Sequence, residues 1–295
     1  MPIISNLKIA ALVIGIVVAG VVQSDARPQI RKHKATEAEG LSLIEADRTI
    51  EGSKIAVRDD GISLSIQSNG LPTHTVGKFP NRDNPYTISA QSYAFSVPKA
   101  PTLNKPKPLL RDEAFGVALN GVPFDPEAAE FWQGNPRSGW VYNALGGAVS
   151  LGLDANFAHV QPSGAYHYLG LPIGLMEQLG WQSDAASPLI GFASDGFPIY
   201  ALTADVGGTV IRMTSSYQLK SGERPGGDEP FGPYDGAFQQ DFEFVAGSGT
   251  LDECNGVMIN TADYPTGTYA YFLTDNYPVI PRCLRGASGS GFSKY

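Results

Sequence analysis

The sequence predicts an all-β chain, a two-sheet, sandwich-like domain with short helices and long Gly/Pro loops. Three observations carry this. Short apolar runs alternate with period two, as in Ile62-Ser-Leu-Ser-Ile66 and Asp241-Phe-Glu-Phe-Val245, which marks half-buried strands. Turn pairs and Gly/Pro clusters separate these runs at short intervals. Long helical patterns are scarce beyond residue 27, which favours stacked sheets over an α/β arrangement.

In chain order, residues 1–26 read as a signal peptide. Lys8 precedes an apolar run from Ile9 to Val22, and Ser24 and Ala26 are small residues ahead of a cut before Arg27. The run is short for a bilayer span. An uncleaved N-terminal anchor is the alternative and the only route to a membrane. The chain is therefore expected to be exported, periplasmic or secreted. Residues 27–54 are charged and mixed, with a solvated basic run at Arg31-Lys32-His33-Lys34 and a short helix expected over Thr36–Ala46. This segment is expected to be flexible, with little tertiary packing.

The β domain is placed at 55–286. Ile62–Ile66 is a strand ended by Asn69-Gly70, and Ile88–Val97 holds another, ended by Pro98. His74 lies between turn signals as a loop residue. The Pro/Lys-rich run 98–110 reads as an extended connection or edge segment. Ala114–Leu119 is a strand stopped by Asn120-Gly121. Asp125 is expected to cap a short helix over Pro126–Trp132, with Pro126 at its first position. Ile173–Leu179 has room for two helical turns closed by Gly180. Leu189–Phe192, Phe197–Tyr200, Asp241–Val245, Thr268–Leu273 and Ile280–Cys283 read as further strands. The loop 220–236 is long enough to be a binding or mobile loop, and its Gly226, Asp228 and Tyr234 are expected to border a site. Residues 287–295 read as a Gly/Ser tail.

The formal charge is -8, from 29 acidic against 21 basic residues. With no basic cluster to displace counterions, nucleic acid is not an expected partner, nor is an anionic membrane surface. An unknown small molecule, a glycan or an envelope protein remains. The two cysteines, Cys254 and Cys283, suggest one disulfide in an exported chain; two buried free thiols are the alternative.

The chemistry gathers at His159-Val-Gln-Pro-Ser-Gly-Ala-Tyr-His-Tyr168. If Pro162-Ser163-Gly164 forms the loop, Val160 faces Tyr166 and His159 faces His167, so two of the four histidines share one sheet face. Tyr166 and Tyr168 point to the other face. A faint repeat supports this division. Gly164-Ala-Tyr-His-Tyr168 resembles Gly267-Thr-Tyr-Ala-Tyr271, so the tyrosines read as framework and His167 as an addition.

These motifs, with Asn120-Gly-Val-Pro-Phe124, Asp195-Gly-Phe-Pro-Ile-Tyr200 and Leu251-Asp-Glu-Cys-Asn-Gly256, resemble those of the YHYH-domain proteins, an exported bacterial family. The resemblance runs from about Asn69 to Cys283. The naming motif is Tyr-His-Tyr-His. Here Leu169 replaces its final His. The family implies the domain but no established activity.

Three functional readings follow. Two imidazoles with carboxylates suit a divalent transition metal such as Zn, Cu, Fe or Ni. His159 and His167 would then be joined by Asp154, Asp195, Asp252 or Glu253. A metal-dependent hydrolase would activate water at that ion; no Gly-x-Ser-x-Gly elbow supports a serine enzyme. A carbohydrate or cell-surface binding module would use some of the 13 Tyr, 14 Phe and 3 Trp as exposed platforms. The bland alternative is a neutral, hydrogen-bonded histidine pair that stabilises the hairpin. No glycine fingerprint, Cys-x-x-Cys pair or haem attachment motif occurs.

Overall fold

A computed structural model describes residues 33–294. The expected leader and the start of the basic run, Arg31-Lys32, lie outside the described residues. The fold is all-β. Strands β1 (Ile55–Asp59), β2 (Ser63–Ser68) and β3 (Tyr93–Pro98) form an antiparallel sheet in that order. Strand β4 (Lys107–Pro108) lies in the Pro/Lys-rich run. Next come β5 (Gly116–Ala118), β6 (Pro123–Phe124), β7 (Ala158–Val160) and β8 (Tyr166–Tyr168). The single α-helix among the described residues, α1 (Ile173–Gln178), precedes β9 (Gly191–Ala193) and β10 (Pro198–Ala201). Two ribbons follow, β11 (Thr203–Val206) with β12 (Thr209–Arg212), and β13 (Tyr217–Leu219) with β14 (Phe242–Phe244). Last are β15 (Gly256–Ile259), β16 (Thr268–Leu273) and β17 (Cys283–Leu284), the last paired with β4.

An eight-stranded sheet in the order β15-β16-β10-β9-β5-β6-β8-β7 organises the molecule. Its pairing is two-fold symmetric about its middle. Strand β5 meets β9 antiparallel with Val117 opposite Phe192. Outward from there, β6 runs parallel to β8 as β10 runs parallel to β16, and the antiparallel hairpins β7-β8 and β15-β16 close the two ends. The sequence carries the same duplication. Phe115-Gly-Val-Ala-Leu-Asn-Gly-Val-Pro-Phe-Asp125 recurs as Ile190-Gly-Phe-Ala-Ser-Asp-Gly-Phe-Pro-Ile-Tyr200, and Leu153-Asp-Ala-Asn-Phe-Ala158 recurs as Leu251-Asp-Glu-Cys-Asn-Gly256.

Strand alternation sorts the faces. Tyr166, Tyr168, Tyr269, Tyr271, Phe124 and Ile199 point into the main core, which Leu175 and Met176 of α1 help to cover. On the other face Val117 and Phe192 meet Ile66, Phe95 and Val97 of β2 and β3, so the small sheet stacks on the middle of the large one. A second core of Trp132, Trp140, Tyr142 and Phe238 lies under the loop 220–236. The Cys254–Cys283 disulfide is present.

Four local expectations change. Thr36–Ala46 is not helical. It runs extended, bridging Ile44 to Asp154, and Arg48 beyond it bridges Val76. Residues 33–54 therefore pack on the domain, against the expectation of a flexible segment. Tertiary bridges to exposed backbone outweigh the weak local helical preference. Pro126–Trp132 is also non-helical, with only 3-10 turns at Trp132–Gly134 and Pro136–Ser138. The Gly/Ser tail is ordered into the fold. Ser290 bridges Ser96, Ser293 bridges Glu113, and Phe292 is buried against Phe95.

Candidate functional site

The central hairpin has the register its turn dictates. Gln161 and Ala165 close the Pro-Ser-Gly loop, with the Gln161 N–H donating to the Ala165 carbonyl at 2.9 Å. His159 then pairs with His167 and Val160 with Tyr166. The two imidazoles meet edge to face, centroids 4.7 Å apart. His159 Nδ1 lies 3.2 Å from the Leu151 carbonyl and donates to it. His167 Nε2 lies 4.0 Å from an Asp125 carboxylate oxygen. Burial pushes both imidazoles towards the neutral form, His159 down to about 3, with the neighbouring ring adding to the effect, and His167 down to about 4.

Two further residues complete the cluster: Asp125, expected only as a helix cap, and Lys294, which the sequence did not single out. Asp125 is buried, and burial raises its carboxyl above the ordinary range against the pull of Lys294. The Lys294 ammonium donates to its Oδ1 at 2.5 Å, and the Gln161 amide donates to Oδ2 at 3.3 Å. A signal for Asp125 did exist. The duplicated run sets Asp125 against Tyr200, and His167 against Ala270. The matching face of the second half is filled by Tyr200, Ala270 and Leu251, so the scaffold stands without the polar cluster. Lys294 had no local signal.

The expected carboxylates do not join the histidines. The Asp154 carboxylate accepts the Tyr166 hydroxyl at 2.7 Å and the Gly77 N–H at 3.0 Å, on the face opposite His167. Its other oxygen accepts the Asn156 and Ala158 N–H groups and holds the turn. Asp252 does the same work in the second half. It accepts the Tyr269 hydroxyl, the Cys254 and Gly256 N–H groups, and an Arg285 guanidinium N–H. Asp195 accepts the Tyr271 hydroxyl at 2.6 Å with the Gly286 and Arg285 N–H groups. Glu253 offers its carbonyl to the Tyr217 hydroxyl. Each of the three aspartates fastens a turn to a tyrosine, as short acidic side chains do. Among the described residues no group of three or more His, Cys, Asp and Glu is placed to hold a metal ion. Asp125, the carboxylate beside His167, already holds the Lys294 ammonium. The residues do not fit the expected metal centre.

His74 is a loop residue with a framework role. Its Nδ1 donates to the Thr75 carbonyl, so Nε2 accepts the Tyr168 hydroxyl at 2.6 Å. Tyr168 accepts in turn from Asn120. The 220–236 loop is clamped from within. The buried Arg224 guanidinium donates to Asp235 and Asp241. The Asp228 carbonyl accepts the Trp132 indole N–H, Lys220 lies over the Tyr234 ring, and the Gly226 N–H donates to the Pro230 carbonyl. Tyr234 of the loop packs on the second core.

A cleft of about 410 Å³ opens at the other end of the naming motif. Leu145, Phe157, Leu169, Leu171 and Val279 are among its apolar lining residues. Tyr217, Phe242 and Tyr277 also line it. Phe242 stacks on Tyr277 at 4.1 Å, Tyr277 meets Tyr217 at 5.8 Å, and Tyr217 leads to the exposed Phe244 at 5.6 Å. Asn143, Ser215, Gln218, Asp275, Asn276 and Arg282 add polar and charged groups to the lining. Sequence reasoning missed this site because Leu169, Tyr217 and Tyr277 lie far apart in the chain.

The four motif positions thus divide. Tyr166 and Tyr168 are buried framework, His167 faces Asp125, and Leu169 is a buried residue beside the cleft. No curated protein and no solved structure matches the chain. The family model described as YHYH protein matches residues 94–286, from β3 to just beyond β17. With that span covering the large sheet, the central hairpin, the disulfide and all but the N-terminal edge of the cleft, the chain belongs to the YHYH family.

Proposed function

We propose that this chain is an exported carbohydrate-binding module whose ligand lies in the cleft beside Leu169. One observation carries the reading. Four aromatic rings, Phe244, Tyr217, Tyr277 and Phe242, run in a row of ring contacts, three of them along the cleft wall. Sugar rings present C–H faces that stack on such platforms, and amide and guanidinium groups at a rim hydrogen-bond their hydroxyls. The volume falls within the roughly 300–1,000 Å³ common for small-ligand sites. Export is supported by the N-terminal pattern and by the disulfide, since such bonds persist in oxidising compartments.

The test is a glycan array probed with the full chain beside Tyr217→Ala and Tyr277→Ala variants. Binding to a defined glycan set that both variants weaken at least about tenfold supports the reading. An array without signal, or signal untouched by either variant, overturns it.

A further inference from the structure

The small sheet ends in an open edge at β1. The Asn69 N–H donates to the Lys54 carbonyl at 3.1 Å, and the Asp60 N–H donates to the Ser63 carbonyl at 3.2 Å. Bonded pairs alternate along an antiparallel ladder, so Lys54, Ala56, Arg58 and Asp60 turn their backbone groups to β2. Ile55, Val57 and Asp59 turn theirs away from it. Among the described residues no strand or isolated bridge pairs with that side. Such an edge is a template for another chain, and proteins usually blunt it with Pro, Lys or a bulge. Strand β1 contains neither Pro nor Lys, and its register with β2 is unbroken from Ile55 to Asp59. Val57 stands in one row with Ile66 and Phe95. Phe95 is 3% exposed, Ile66 4% and Val57 59%, so the apolar row reaches the edge and is open at its end. Asp59, on the same face, is neutralised by Lys99 at 2.6 Å.

We infer that β1 is the docking surface for a second copy of this chain, the two β1 strands pairing antiparallel about a two-fold axis at Val57. Charge selects this partner and this register. Outward backbone groups must meet outward groups, which restricts the pairing to steps of two residues. With the two Val57 residues opposite each other, Ile55 of each copy exchanges backbone bonds with Asp59 of the other. On the other face, Lys54 of each copy lies opposite Asp60 of the other. Sliding one step in one direction sets Lys54 opposite Arg58, and in the other direction sets Arg58 opposite Arg58. Opposite charges facing each other across a strand pair are favourable, and like charges are destabilising. The strand is thus complementary to its own reverse in the register centred on Val57, as a contact between identical patches requires. The pairing joins the two small sheets edge to edge and closes both open edges.

Sedimentation velocity on the full chain, from about 1 to about 100 μM, tests this, since a dimer fills with concentration by mass action. We expect a species of twice the chain mass to grow across that range. Val57→Lys, checked for folding by circular dichroism, sets two ammonium groups opposite each other and should weaken the dimer at least about tenfold. A cross-link reads the register directly. Bonded antiparallel pairs hold their Cα atoms about 5.5 Å apart, within the roughly 4.4–6.8 Å that a disulfide spans. Both native cysteines are already joined, so Val57→Cys carries the one free thiol. On the axis it meets its own copy, and mild oxidation should link it into a covalent dimer. Ile62→Cys, at an 83% exposed position off the axis, is the control and should link more slowly. A chain that stays monomeric up to about 100 μM overturns the inference in favour of an unpaired edge or a different partner. A dimer that Val57→Lys leaves intact, or a Val57→Cys chain that links no faster than Ile62→Cys, also overturns it.

Discussion

Gly116 and Gly191 face each other's strands at the middle of the eight-stranded sheet. A Cβ on Gly116 would stand 2.4 Å from the Phe192 carbonyl oxygen, and one on Gly191 would stand 2.5 Å from that of Val117. The two contacts are the same contact under the two-fold relation of the halves, and the obstructing atoms are backbone. Gly116→Ala and Gly191→Ala should each destabilise the chain by about 1–3 kcal/mol, the usual range for overpacking. Urea midpoints of the two variants should be lowered alike. A large effect at one position alone would contradict the symmetry.

Asp154 and Asp252 hold equivalent turns, but their surroundings differ. The Asp154 side chain is fully buried, whereas that of Asp252 is 31% exposed. Water can replace lost partners only at the second. Asp154→Ala strands the Tyr166 hydroxyl and several N–H groups, each orphaned buried group costing about 1–3 kcal/mol. It should therefore destabilise the chain more than Asp252→Ala, as chemical denaturation would show.

Lys294→Met should cost about 3–5 kcal/mol, because it leaves the buried Asp125 carboxylate without its countercharge. Adding Asp125→Asn should restore most of that loss. A double-mutant cycle in urea measures the coupling. Near-additive losses would mean that the tail is held by Phe292 and not by the ion pair.

Stability should fall as the medium is acidified from about pH 6.5 towards pH 4. The unfolded chain protonates its histidines near 6.5, while burial holds His159 at about 3 and His167 at about 4 in the fold. The unfolded state thus binds more protons in this window, which favours unfolding by at most about 1.4 kcal/mol per pH unit for each histidine. The buried His74 adds in the same sense. Asp125 opposes them just above its ordinary range, since its raised carboxyl protonates first in the fold. His159→Gln with His167→Gln should flatten the slope of melting temperature against pH.

Removing the disulfide should cost roughly 3–4 kcal/mol in the chain-entropy estimate for a separation of 29 residues. The bond joins the Asp252 turn to the strand that leads into Arg285, the residue that binds Asp252 and Tyr271. Cys254→Ala with Cys283→Ala should therefore also loosen that corner, visible as faster amide exchange at Arg285 and Gly286.

The sequence by itself determined what local rules encode. Period-two alternation and turn residues placed most of the strands, the Pro-Ser-Gly loop set His159 against His167, and parity sent Tyr166 and Tyr168 to the core. Two cysteines in a chain with an export pattern pointed to their bond. Only the tertiary structure decided which distant groups meet. Lys294 reaches Asp125 across 169 positions, and the cleft assembles Leu169 with Tyr217 and Tyr277. Asp154, Asp195 and Asp252 turn to tyrosine hydroxyls and not to imidazoles. The reason is physical. A strand's pattern fixes which face a side chain takes, but the parallel pairing of β6 with β8 and the docking of the tail depend on contacts whose favourable energy appears only after long loops have closed.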